Sequence, residues 1–114
     1  MLNQPGSLDR VFQALADGSR REIVERLVRG PASVSELARP LDMSLPAVMQ
    51  HLQVLEACGL VRSEKTGRVR TCHIEPGVLR TAEEWIVGRR TVWEQRLDRL
   101  DAHLTDRPDH GSTP

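Results

Sequence analysis

Tyrosine is absent, phenylalanine occurs once and tryptophan twice, so aromatic residues make up only 3% of the chain. A core built from it is therefore aliphatic, without large rings to fill space. Lysine is almost as scarce, since Lys65 is the one lysine among sixteen cations and the rest are arginine. A GC-rich coding genome explains that bias as well as phosphate binding does. Sixteen acids balance the cations and leave a formal net charge of zero, which excludes a general polycationic grip on nucleic acid and leaves only local patches. Two cysteines without secretory context read as reduced thiols rather than a disulfide framework. No apolar run approaches membrane-spanning length, and Met1 to Ser7 lacks the charged and apolar regions of a signal peptide. A glycine-rich phosphate loop and a nucleophile motif are both missing, and the four histidines are scattered, so catalysis has no support. What remains is enough for one cytoplasmic domain: 114 residues, 39% of them hydrophobic.

The most informative stretch is 44–58. Ser44 can cap the orphan amides of a helix start, and Pro46 in the first turn gives up an N–H that has no partner there. Gly59 supplies the stop. At about 100° per residue, Val48, Leu52 and Leu55 share one side while Pro46, Gln50 and Gln53 share the other. Glu56 is the only ionised group in the segment. Solvated helix faces usually carry Lys and Glu. A face of neutral amides suits a surface that matches hydrogen-bond patterns, and Gln pairs in bidentate fashion with the major-groove edge of adenine. In an arbitrary helix Gln50 and Gln53 are more simply neutral helix formers, so the neighbouring elements decide between the two.

Leu8, Val11, Phe12 and Leu15 follow helical spacing behind a Ser7 cap. Asp17-Gly18-Ser19 is a turn, and Ile23, Val24, Leu27 and Val28 form the stripe of a second helix stopped by Arg29-Gly30-Pro31. Ser33 and Glu36 fit a capping box for a third helix, expected to end near Arg39 because of Pro40. Only Pro40 to Met43 then separate it from Ser44, the spacing of a helix-turn-helix.

Leu60–Lys65 and Arg68–Ile74 alternate imperfectly around Thr66-Gly67 and predict a hairpin, with glycine providing the positive φ of a tight turn. Residues 60–74 hold Arg62, Lys65, Arg68 and Arg70 against Glu64, a local basic excess. A basic hairpin directly after such a helix is the wing arrangement, placed to touch phosphates; the competing use of those charges is to discourage edge-to-edge aggregation. Over 76–104, Ala82, Ile86, Trp93, Leu97, Leu100 and Leu104 recur at threes and fours, with Trp85 and Val92 beside them. Such a helix is about 40 Å long at 1.5 Å per residue. A chain this small cannot cover it alone, so its apolar stripe is expected to pack on a second copy. Gly88 inside it costs roughly 1 kcal/mol relative to alanine and marks a close helix contact or a bend. Residues 105–114 read as a disordered tail. The expected fold is mainly α with a small β-hairpin (α+β). It is one winged helix-turn-helix domain over 1–104, with a recognition helix at 44–58, a wing at 60–74 and a long C-terminal dimerisation helix at 76–104.

Three stretches carry a family likeness: Phe12-Gln-Ala-Leu-Ala-Asp-Gly-Ser-Arg-Arg-Glu-Ile-Val, then Val34-Ser-Glu-Leu-Ala with Ser44 to Leu55, then Leu60 to Arg68. In this order they resemble the arsenic-repressor (ArsR/SmtB) family of dimeric winged-helix transcription regulators, over most of residues 8 to 74. The resemblance implies a homodimeric repressor that binds double-stranded DNA at a pseudo-palindromic operator, its own operon among the targets. The DNA-binding candidates are Ser44, Pro46, Ala47, Gln50, His51, Gln53, Arg62, Lys65, Arg68 and Arg70. The dimer candidates are Leu8, Val11, Phe12, Trp85, Ile86, Trp93, Leu97, Leu100 and Leu104. Met49 departs from the small polar residue common before the Gln-His pair, so one polar contact is either missing or replaced by an apolar one, such as to a thymine methyl. Metal sensing in the family needs ligands that this chain does not offer. Ala38 and Pro40 stand where third-helix cysteines would be, and the partner expected for Asp101 and His103 falls at Pro114. The expected branch is therefore non-metal-sensing, with no cofactor. Three other uses stay open: His51 as a packed histidine bonded to backbone, Cys58 and Cys72 as a redox pair tying helix to wing, and the whole domain as a protein-interaction module without operator binding.

Overall fold

A computed structural model describes residues 7–105. Their elements are α1 (Leu8–Leu15), α2 (Gly18–Val28), β1 (Ala32–Ser33), α3 (Val34–Leu41), α4 (Leu45–Ala57), β2 (Val61–Thr66), β3 (Val69–Ile74) and α5 (Pro76–Thr105). The first four helices start where a side chain can replace a missing carbonyl partner. Ser7, Asp17, Ser33 and Ser44 each accept the N–H three residues on. At α3 the exchange is reciprocal: the Glu36 carboxylate accepts the Ser33 N–H at 2.8 Å. That bond holds the Glu36 carboxyl below its ordinary range.

Three expectations about the elements themselves need correction. Helix α3 does not end before Pro40 but runs through it to Leu41. The proline lies in the last turn, where it removes a single backbone bond, and the true stop is Asp42 in the left-handed region at φ 54°. The N–H groups of Asp42 and Met43 then satisfy the carbonyls of Ala38 and Arg39. Next, the sheet has three strands, not two: β1 pairs antiparallel with β3 through Ala32↔Cys72 and Ser33↔Thr71. Two residues are too few to show alternation in a sequence. Finally, Thr66 pairs with Val69, so the hairpin turn is Gly67-Arg68 and Arg68 leaves the strand. Gly67 takes φ 62° at the first turn position, as mirror-image two-residue turns require.

Of the described residues, 7–82 form one compact unit. Its core is aliphatic, drawn from Val11 and Ala14 of α1, Ile23 and Leu27 of α2, Leu37 of α3 and Val48, Leu52 and Leu55 of α4, with Leu60 and Cys72 from the sheet side. The i, i+4, i+7 spacing of Val48, Leu52 and Leu55 on α4 thus does what its period predicts. Val28, expected in the stripe of α2, is instead exposed. Val11, a dimer candidate, is completely buried inside its own chain and has no surface left to offer a partner. Leu8 and Phe12 beside it are half-buried and pack against the core.

Of the described residues, 83–105 form a second unit, helical through Thr105. Trp85, Ile86, Trp93, Leu97 and Leu100 are exposed along it, with Leu104 partly covered. Nothing lies within 4 Å of where a Gly88 side chain would be, so no close contact within the chain requires that glycine. Of the expected tail, Thr105 belongs to the helix, and 106–114 lie outside the described residues. Among the described residues no helix is long and apolar enough to cross a membrane.

Candidate nucleic-acid interface

Burial of Val48, Leu52 and Leu55 fixes which way α4 turns its other side. Ser44, Pro46, Gln50 and Gln53 are exposed and Ala47 is half-buried. No side chain of the described residues hydrogen-bonds either glutamine amide, so both carry their full complement of donors and acceptors. Ser44 accepts the Ala47 N–H at 3.3 Å as the helix cap, which uses an oxygen lone pair and leaves its hydroxyl proton free to donate. The candidates on this helix therefore stand together on one accessible face, with one exception.

His51 is that exception. It is half-buried, and its Nδ1 lies 3.4 Å from Arg20 Nη1. A guanidinium only donates, so Nδ1 is the acceptor and the ring proton sits on Nε2. Arg20 is itself anchored by Nε donating to the Ala14 carbonyl at 2.6 Å and Nη2 to Gln13 at 3.4 Å. Both carbonyls belong to the last turn of α1, where that of Gln13 also accepts the Ala16 N–H. One arginine thus ties the first helix to the amide-bearing one. Sequence periodicity misses it, because Arg20 and His51 meet only through the fold.

The wing is less basic than its sequence. Arg70 donates to both carboxylate oxygens of Glu56 on α4, at 3.0 and 3.2 Å, and to Ser63 at 3.0 Å. Arg62 sits at the hairpin base and bonds Glu75 at 2.7 Å and Glu64 at 2.9 Å. Those two partners raise the Arg62 pKa still further. His73 Nε2 comes within 3.4 Å of Glu64 without a hydrogen bond. Four cations thus face three carboxylates, two of which, Glu56 and Glu75, lie outside the 60–74 window. In the free chain Arg62 and Arg70 are thus held by carboxylates rather than left open to phosphate. Among the described residues, Lys65 and Arg68 meet no carboxylate, and both stand at or beside the turn. Glu75 was foreseeable from the register Val61↔Ile74, which puts it diagonal to Arg62; Glu56 was not.

Both cysteines are free and buried. The Cys58 thiol donates to the Leu55 carbonyl at 3.3 Å. Burial pushes the Cys72 thiol above its ordinary pKa, reinforced by the Glu56 charge. Thiolate is the reactive form, so this placement works against redox sensing. Among the described residues no three His, Cys, Asp or Glu side chains gather as a metal would need.

Residues 15–64 match the model of a helix-turn-helix domain. The HTH-type transcriptional regulator Rv2034 of Mycobacterium tuberculosis is 54% identical over 70 residues, covering 61% of this chain but only 65% of its own length. A crystallised ArsR family transcriptional regulator shares 50% identity at a TM-score of 0.69, over 76% of this chain and 96% of its own. The homodimeric winged helix-turn-helix DNA-binding domain of a possible ArsR-family regulator from Mycobacterium bovis, solved in solution, aligns at 30% identity and a TM-score of 0.62. That alignment covers 76% of this chain and 82% of the other.

Proposed function

Because this chain belongs to the ArsR family of transcriptional regulators, we propose that it is a cytoplasmic, homodimeric repressor that binds duplex DNA at a pseudo-palindromic operator. The observation that carries this is the accessible amide face of α4, Gln50 and Gln53, beside a hairpin turn whose Lys65 and Arg68 are not neutralised. In this arrangement each copy lays α4 into a major groove, the two sites lying about one helical turn apart. Gln50 and Gln53 read base edges. The Ser44 hydroxyl, Lys65 and Arg68 contact phosphates and set the register. The homodimeric state of the Mycobacterium bovis domain supports the pairing, as does the exposed apolar stripe of residues 85–100. Bound across a promoter, such a dimer blocks transcription, and DNA upstream of its own gene is the first duplex to try.

The test is a mobility shift on that DNA and on random duplex across salt concentrations. Gln50→Ala is expected to erase most of the preference for operator, about tenfold for one lost bidentate contact. Arg68→Ala is expected to weaken both duplexes alike and to lower the salt slope by about one. Equal loss on both duplexes from Gln50→Ala would remove base readout from α4. Absence of any DNA binding would leave the domain as a protein-docking module.

A further inference from the structure

Where the first turns of α3 and α4 approach the wing, a cleft of about 450 Å³ opens. Leu45, Met49 and Val69 line it together with Ser35, Lys65 and Arg68. Leu45 and Val69 are 50% and 52% exposed, so their own chain leaves these aliphatic groups half uncovered. On α4, Leu45 and Met49 are one turn apart on the flank between the buried stripe and Gln53. A helix flank beside an amide face ordinarily carries charge. Here its first two turns carry two flexible apolar side chains, Glu56 following farther along and bound to Arg70, with Lys65 and Arg68 not neutralised across the cleft.

An occupant that suits this lining is apolar at the helix and anionic at the wing. A duplex has that pattern. The thymine C5-methyl is the one apolar group projecting from its major-groove edges, with phosphates to either side. The cations disfavour a purely apolar peptide, which would leave Lys65 and Arg68 without partners. Resting on the DNA-binding reading above, we infer that Leu45 and Met49 form a receptor for a thymine methyl, closed on the wing side by Val69. The operator half-site then carries thymine next to the base pairs addressed by Gln50 and Gln53. A polar residue at 45 or 49 would hydrogen-bond other bases there; two apolar ones select by the presence of a single carbon.

The test begins by selecting duplexes from a random pool with the full chain and measuring affinity by fluorescence anisotropy. Each thymine of the selected half-site is then replaced in turn by deoxyuridine, which deletes only the methyl. At one or two positions affinity should fall about fourfold, the worth of one buried carbon, with the salt slope unchanged. For Leu45→Ser and Met49→Gln the thymine and uracil duplexes should bind equally. Leu45 is exposed at the first helical position, so Leu45→Ser leaves the core intact, and the uridine series on the unaltered chain needs no variant. A chain that prefers its selected duplex yet tolerates uridine at every position would overturn this inference alone. A chain that prefers no duplex would overturn the DNA-binding reading as well.

Discussion

Arg20 shows how one side chain can do the work of a short element. It reaches two carbonyls at the end of α1 and the ring of His51 on α4, so it sets the angle of the amide face against the first helix. Arg20→Met is expected to cost about 1.5–3 kcal/mol, the range for a hydrogen bond made by a charged group, measured by urea denaturation. Nitrogen NMR of His51 should at the same time change from a single Nε2–H tautomer to a mixture, a change that a merely looser core would not produce. At this scale the sequence was readable where chemistry is local. Ser44, Gln50 and Gln53 were placed by a cap and a period that span one helix. The pairing of Arg62 and Arg70 was not legible, because Glu75 and Glu56 reach them only after the hairpin closes and packs. Charge counted along a window is not charge counted in space.

Elements follow the same division. Five helices and the hairpin were visible in the sequence because caps, periods and a turn glycine are near-neighbour signals. The β1 strand was not, since two residues acquire strand geometry only from their pairing with β3. The end of α3 was missed for a related reason: the stop comes from the left-handed Asp42, a conformation that aspartate allows but does not announce. The start of α3 carries a pH dependence whose sign is fixed. The Ser33 N–H holds the folded Glu36 carboxyl below its unfolded value of 4.5. Its stabilisation is therefore complete above about that pH and fades as pH falls through the lower folded value. Denaturant titrations at pH 6 and pH 3 should show the chain losing less stability between them once Glu36→Gln removes the titration. An unchanged difference would show that the box does not contribute.

For the molecule as a whole, the exposed side chains of the second unit ask for company. Trp93 and Leu97 are 60% and 55% exposed, more than a lone soluble helix usually leaves open along one stripe. Leu97→Asp is expected to convert a dimer to a monomer by light scattering and to weaken operator binding about a hundredfold or more, since the second half-site is then no longer tethered to the first. A dimer that persists would shift the contact to α1. The Glu56–Arg70 pair has a further effect at this scale. On the DNA-binding reading proposed above, keeping one cation occupied would weaken the hold of the free protein on ordinary DNA, and so would shorten its dwell at wrong addresses while searching a genome. Glu56→Gln should release that guanidinium and steepen the salt slope by about one. The variant would bind more tightly everywhere and find its target more slowly, a regulator impaired by excess adhesion.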